Sequence, residues 1–244
     1  MKAIILAAGR GTRQKQITEE INKCMLKVDG KHLLAYSLAS AKQINVEEIV
    51  IVVGYHAEYI INTFGIWYED IPIKYVIQKD QKGLVDAISQ TRKTIDGADF
   101  ILFLGDEIHV NPQLTTMTDQ FESEDLFVMC GVTETDDLTQ ISKTYSVIYN
   151  EFDYSIYRLI EKPTRPPNNI MGTGNCIFRN EIFEYIDKTP VSHVRKEKEL
   201  PDLIQCAIDE GQAVKMFILA SQYANVNTPD DIDLAKDFFV QALV

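Results

Sequence analysis

The chain has 244 residues, and its 36 Asp and Glu outnumber 24 Lys and Arg, leaving a formal net charge of −12. That sign argues against sequence-independent nucleic-acid binding and against an anionic membrane surface, since both depend on clustered Lys and Arg. With 45% hydrophobic and 25% charged residues, the composition is that of an ordinary globular protein, long enough to bury a core without staples. Any anionic ligand must therefore be held by a local basic site working against the overall field.

In chain order, β-branched apolar runs alternate with helix-period stretches. Residues 2–8, 48–54, 73–77, 100–104 and 126–132 read as strands, with helices expected over 32–44, 56–64, 83–95 and 111–123. The first of these strands begins almost at Met1, which reads as the start of the fold and not as a secretory leader. Near-continuous apolar strands separated by helices imply a mostly parallel α/β sheet covered on both faces. After about residue 133 the pattern changes to a polar-alternating hairpin at 144–150 and 154–161. A Pro-rich loop, a strand at 173–178 and helices near 179–187 and 199–210 follow. Thr228 and Pro229, followed by two acids, mark the start of a last helix. No apolar run approaches the roughly 18 residues of a membrane span. Cys24, Cys130, Cys176 and Cys206 have no zinc-binding spacing and read as reduced, structural thiols of a cytoplasmic protein.

The segment Ala7-Ala8-Gly9-Arg10-Gly11-Thr12-Arg13 follows the first strand directly. Its glycines let backbone N–H groups approach an anion, and Thr12 and Arg13 add a hydroxyl and a charged fork. It is neither a Walker A loop nor a complete dinucleotide fingerprint, so a tight turn with an exposed arginine stays open. Lys23, in a polar stretch with little secondary-structure signal, reads by itself as a solvated lysine or a loop ligand. Asp106 ends the 100–104 strand run, where open α/β sheets place ligands, and is either a turn residue or a metal ligand. Glu107 and His109 read as loop residues beside it. His32, His56 and His193 are scattered and read as structural or solvated, and the mixed charge run 195–199 reads as a solvated loop or helix start.

Taken together and in order, these segments resemble the sugar-1-phosphate nucleotidyltransferase family, which includes glucose-1-phosphate thymidylyl- and uridylyltransferases. The matching segments are AAGRGTR, Lys23 ten residues after Arg13, and Gln78 with Lys82-Gly83-Leu84. They continue with Leu104-Gly105-Asp106, Glu161-Lys162-Pro163, Gly172-Thr173-Gly174 and the closing segment from Tyr223 to Asp231. The resemblance implies a nucleotide-diphospho-sugar transferase fold: a Rossmann-like, mostly parallel sheet with a smaller α+β sugar-binding portion. It implies one domain, with a nucleotide-binding half at 1–132 and a sugar-phosphate-binding half at 133–244.

The resemblance places Arg13 and Lys23 on the triphosphate, Asp106 on Mg²⁺ and Lys162 on the sugar phosphate. Ala7, Ala8, Gly9, Gly11, Thr12, Gln78 and Gly83 would contact the nucleotide. Glu161, Tyr145, Gly174 and Asn175 would line the sugar phosphate. It further implies an NTP (dTTP or UTP by the Gln78 pattern, with CTP open) and a sugar 1-phosphate as substrates, Mg²⁺ as cofactor and a homo-oligomeric state.

The chemistry suits these residue types. A phosphate monoester is already a charged nucleophile, so attack on an α-phosphorus needs in-line positioning and charge neutralisation more than a general base. Four positions depart from the family pattern. Asn22 stands in place of proline before the lysine, which changes loop stiffness. Ser146 replaces a glycine typical of hexose-phosphate pockets, and Asn225 and Asn227 replace acids in the closing segment, making Asn225 a weaker metal ligand. These last two keep open a nucleotide-sugar-binding regulatory protein on the same scaffold. A related glycosyltransferase is a further alternative, although the D-x-D motif is missing at 106–108. The surplus carboxylates, as at 122–125 and 134–137, are expected outside a small cationic pocket.

Overall fold

The structure, a computed structural model, describes residues 1–9, 21–227 and 229–241. Its strands in chain order are β1 (Lys2–Ala7), β2 (Lys27–Val28), β3 (Lys31–His32), β4 (Ile49–Val53), β5 (Trp67–Tyr68), β6 (Ile71–Ile77) and β7 (Phe100–Leu104). They continue with β8 (Glu107–Val110), β9 (Val128–Glu134), β10 (Tyr145–Tyr149), β11 (Ile156–Glu161), β12 (Ile170–Phe178), β13 (Val214–Ile218) and β14 (Gln222–Asn225). Eight of these form one sheet in the order β13-β9-β12-β7-β1-β4-β6-β5. β1 runs parallel to β4 and β7, β4 to β6 and β13 to β9, while β12 is antiparallel to both neighbours and β5 to β6. The sheet is thus α/β and mostly parallel.

Strict alternation explains how β1 and β4 are buried on both faces. Ile4, Leu6, Val50 and Val52 join one core layer, and Ala3, Ile5, Ala7, Ile49, Ile51 and Val53 the other. The helix Leu33–Gln43 closes the second layer through Leu34, Leu38 and Ala41. Leu200–Asp209 closes the first through Leu200, Leu203, Ile204 and Ala207. Among the described residues, no helix is long and apolar enough to cross a membrane.

Several expectations need correction. The helix expected over 83–95 is two pieces, Leu84–Gln90 and Arg92–Ile95, divided at buried Thr91, whose hydroxyl donates to the Ile88 carbonyl. The region 179–187 forms only the 3₁₀ turn Asn180–Glu184. Glu107 and His109 are not loop residues: they belong to β8, which pairs antiparallel with β14. Neither strand declares itself locally, because each exists only through the other. β12 begins at Ile170 instead of 173 and sits between β7 and β9, so a strand from beyond residue 133 lies inside the main sheet.

Strand order places the site. The chain leaves β1 for β4 on one side and later fills β7 on the other, so the connections diverge at the carboxyl end of β1. Such a switch point opens a crevice that the sheet itself cannot fill.

The first core layer rests on a ring cluster. Phe100 is fully buried, its ring centroid 5.2 Å from that of Phe178 and 5.5 Å from that of Phe183. Phe100→Ala is expected to cost about 3–5 kcal/mol of unfolding free energy with an unchanged urea slope, read from equilibrium denaturation.

Candidate active site

A cavity of about 450 Å³ opens at the carboxyl ends of β1 and β7. Ala7, Ala8 and Gly9 line it at the end of β1, Gln78 after β6, Gly83 before the next helix, and Asp106 in the turn beyond β7. Tyr145, Glu161, Lys162 and Gly174 line the opposite wall, and Lys23, Asn225 and Asn227 line the cavity as well. Among the described residues, a Cβ on Gly9 would meet nothing within 4 Å, so packing there does not require a glycine. Gly11, Thr12 and Arg13 lie outside the described residues.

Lys23 is held deep in this cavity. Its ammonium lies 2.5 Å from Asp106 Oδ2 and donates to Asn227 Oδ1 at 2.9 Å. Asn227 Nδ2 in turn donates to Asn225 Oδ1 at 2.7 Å, and Val226 N–H donates to the Asp106 carbonyl at 3.0 Å. The closing segment is thereby laced onto the β7–β8 turn. Asn22 supplies the stiffness expected from a proline by other means. Fully buried, it accepts from Cys24 N–H at 2.9 Å and donates to the carbonyls of Ala7, at 2.9 Å, and Tyr55, at 2.8 Å. One side chain thus fastens the Lys23 turn to the end of β1.

Gln78 is buried, and its Nε2 donates to Asp86 Oδ2 at 2.7 Å and to the Gly83 carbonyl at 3.2 Å. Both partners are acceptors, which fixes the amide orientation and leaves Oε1 as the group a ligand can use. Gly83 has φ +95°, and a Cβ there would lie 2.7 Å from Glu197 Oε2. Only glycine fits both the backbone and the carboxylate packed over it.

On the far wall, Tyr145 lies so close to Gly172 that a Cβ on the glycine would sit 2.1 Å from the ring. Ser146, expected to alter this pocket, does not line it. Its buried hydroxyl engages Asn168 Oδ1 at 3.0 Å and the Ile170 carbonyl at 3.1 Å. Asn175 is likewise turned away from the cavity: its amide lies 3.5 Å from His109 Nδ1, beside a separate crevice of about 160 Å³. Burial pushes the His109 imidazole down to about 3, so it is neutral at physiological pH.

The charge run 195–199 does lead into a helix, with Glu199 at its N-cap, but it is not merely solvated. Arg195, Glu197 and Glu199 line the cavity, and Arg195 NH1 lies 3.2 Å from Glu161 Oε1 and 3.2 Å from Glu199 Oε1. Lys162 donates to the same Glu161 oxygen at 2.7 Å. Glu161 therefore receives two cations, while burial, reinforced by Glu161 nearby, raises the Glu199 carboxyl. Lys143 is a further cation on this wall. Among the described lining residues, Lys23, Lys143, Lys162 and Arg195 face Asp106, Glu107, Glu161, Glu197 and Glu199. The pocket is therefore zwitterionic, not simply cationic. A density of alternating charges before a proline-led helix was the one signal in the sequence, and solvated surfaces give the same signal.

Glu107, read from the sequence as a loop residue beside Asp106, is part of the site as a strand residue. It is buried against the cavity, accepting from Tyr223 Oη–H at 2.7 Å and from Gly174 N–H at 2.9 and 3.1 Å. Burial pushes its carboxyl from about 4.5 up to about 8, with the Tyr223 hydrogen bond opposing and Asp106 adding to the rise.

A crevice at a switch point, with Asp106 just beyond the end of β7 and Lys23 bonded to it from a 3₁₀ turn, is where open α/β sheets hold their ligands. The chain belongs to the nucleotidyl transferase family, whose model matches residues 2–237. It is 33% identical to the UTP–glucose-1-phosphate uridylyltransferase AglF of Haloferax volcanii over 236 residues, covering 97% of this chain and 95% of that one. It is 32% identical to the bifunctional protein GlmU of Methanococcus aeolicus, but there 95% of this chain spans only 53% of the relative. Among solved structures, a UDP-glucose pyrophosphorylase complexed with UDP-glucose superposes with a TM-score of 0.90 at 23% identity, covering 99% of this chain and 98% of that one. A UTP-bound UGPase from Acinetobacter baumannii superposes with a TM-score of 0.80 at 18% identity, covering 98% and 92%. These two likenesses establish the fold.

The raised Glu107 carboxyl has a consequence for stability. Between about 4.5 and about 8 the folded chain keeps a proton that the unfolded chain has released, so stability falls as pH rises through that window. Glu107→Gln removes this dependence. Urea unfolding of both proteins from about pH 5 to about pH 8 is expected to move the difference steadily in favour of the variant. A constant difference would mean that the carboxyl is ionised throughout.

Proposed function

We propose that this chain transfers a uridylyl or thymidylyl group from UTP or dTTP to a sugar 1-phosphate, releasing pyrophosphate. The observation that supports this most directly is one cavity with Lys23, Asp106 and Asn227 on one side and Lys162 and Arg195 on the other. Two polyanions can approach each other only where cations flank both. AglF, similar over nearly its full length, is named for UTP and glucose 1-phosphate, which favours the uridine nucleotide and a hexose phosphate.

The acceptor phosphate oxygen forms a new bond to the α-phosphorus as the bond from that phosphorus to its bridging oxygen breaks. Pyrophosphate departs with the electron pair. The acceptor oxygen is anionic at neutral pH, so no side chain need remove a proton. Lys23, exchanging Asp106 for phosphate, would hold the triphosphate and the leaving group, together with Arg13 and the Gly11–Thr12 backbone. Lys162, with Arg195 beside it, would hold the acceptor phosphate, and Glu161 a sugar hydroxyl. Gln78 offers only an acceptor, which matches the N3–H of uracil or thymine.

The donor set suits Mg²⁺: the Asp106 carboxylate and the amide oxygens of Asn225 and Asn227 are all hard oxygens, and phosphate and water would complete the ion's shell. When bound, Mg²⁺ would neutralise charge gathered on the phosphates.

The test is pyrophosphate release from each common NTP with a panel of sugar 1-phosphates, with and without Mg²⁺. Release is expected with UTP or dTTP, and Asp106→Asn or Lys23→Ala is expected to lower kcat/KM by roughly 10²–10³-fold. Tight binding of a nucleotide sugar with no pyrophosphate formed from any pair would make the chain a binder instead.

A further inference from the structure

Strand β12 does not run evenly along β9. Gly172 pairs with Val132 and Cys176 with Cys130, so Thr173, Gly174 and Asn175 stand opposite the single residue Gly131. β12 also pairs with β7 only from Cys176 onward. The three extra residues bulge out of the ladder, Thr173 and Gly174 into the cavity wall, and their backbone groups lose strand partners.

Replacements are found for these groups. Asn175 N–H donates to Thr173 Oγ1 at 3.2 Å, the Thr173 hydroxyl donates to the Gly131 carbonyl at 2.9 Å, and the Tyr145 hydroxyl donates to the Thr173 carbonyl at 3.2 Å. Gly174 N–H goes to the Glu107 carboxylate, 2.9 Å from one oxygen and 3.1 Å from the other. No side chain larger than hydrogen fits at Gly174: a Cβ would lie 2.2 Å from Leu104 and 3.0 Å from Glu107 Oε2. Glu107 follows Asp106 directly and also accepts from Tyr223 on β14, the strand that carries Asn225. One buried carboxylate therefore joins the bulge to both segments that carry the candidate metal ligands.

We propose that Glu107 is a positioning residue for the acceptor substrate, fixing the 173–175 bulge against the Asp106 turn so that the two halves of the cavity meet at one spacing. Among the described residues, Ala7, Gln78 and Gly83 at the base end of the cavity make no hydrogen bond with Glu107, whose partners are Gly174 and Tyr223. Loss of the tie acts first on the acceptor and on the meeting of the two substrates, and less on nucleotide binding, because Lys23 keeps its own bonds to Asp106 and Asn227. This role rests on the nucleotidyl-transfer reading above.

Glu107→Ala leaves the buried Gly174 N–H without its acceptor. Glu107→Gln keeps it, because the amide oxygen can accept from Gly174 while the amide nitrogen donates to the Tyr223 phenol oxygen. Steady-state pyrophosphate release from UTP and glucose 1-phosphate, UTP binding by calorimetry and thermal melting are measured for wild type and both variants. For the alanine variant, the acceptor KM is expected to rise about tenfold or more with a lower kcat, while the Kd for UTP stays within about threefold of wild type. The glutamine variant is expected within about threefold of wild type in every constant. Should the alanine protein not fold, Glu107→Asp, one methylene shorter, takes its place with the same expectations.

Wild-type kinetics in the truncated variant, parallel loss of acceptor and UTP affinity, or a glutamine variant no better than alanine each overturn the role. An active wild type beside an indifferent alanine variant overturns this role alone. A wild type that releases no pyrophosphate from any pair overturns the functional reading and this inference with it.

Discussion

Burial of the central strands on both faces leaves β1 and β4 no place for polar chemistry except at their ends. β1 and β4 have no free face on which a charged side chain could stand, since alternate residues enter one core layer or the other. Polar chemistry must therefore collect where the strands stop and the connections diverge. Gly9, Gln78 and Asp106 all lie just beyond the carboxyl ends of their strands. Around that edge the remaining structure acts as a set of braces. Asn22 ties the Lys23 turn to β1, Asn227 ties the closing segment to Lys23, and Glu107 ties β8 to β12 and β14.

The net charge of −12 acquires a narrower meaning in this setting. The acidic surplus is not kept away from the cavity; four cations and five carboxyl groups share its described walls. Such pairing suits a site that must hold two polyanions and then release them. An isolated buried lysine would lose hydration without compensation, whereas Lys23 is compensated by Asp106 and Asn227. In the proposed reaction an incoming phosphate would exchange one anion for another around the same ammonium, at less cost than charging an empty apolar pocket.

The departures from the family pattern divide by what each side chain touches. Asn22 uses all of its polar groups in place of a rigid ring, so the loop is fastened by hydrogen bonds instead of by a fixed φ. Ser146 is spent on the Asn168 loop behind the wall. Asn225 and Asn227 do face the cavity, and there the exchange of carboxylate for amide lowers the negative charge that a cation would meet.

Read alone, the sequence was sufficient for the layer architecture, through local signals such as β-branched runs and glycines at turns. Lys23, Gln78, Asp106, Glu161 and Lys162 stood out together only through the resemblance to the family, and they line one cavity. Arg195, Glu197, Glu199 and Glu107 were not legible, because nothing local separates a charge that enters a cavity from one that enters water. The same holds for Asn175, whose motif neighbours line the cavity while a bulge in β12 turns its own amide toward His109. Pairings between distant segments decided these cases: β8 with β14 across more than a hundred residues, and the 195–199 segment against Glu161. Local propensity sets which elements form, but the partner of a buried polar group is chosen by packing, and only the folded chain brings those partners within hydrogen-bonding distance.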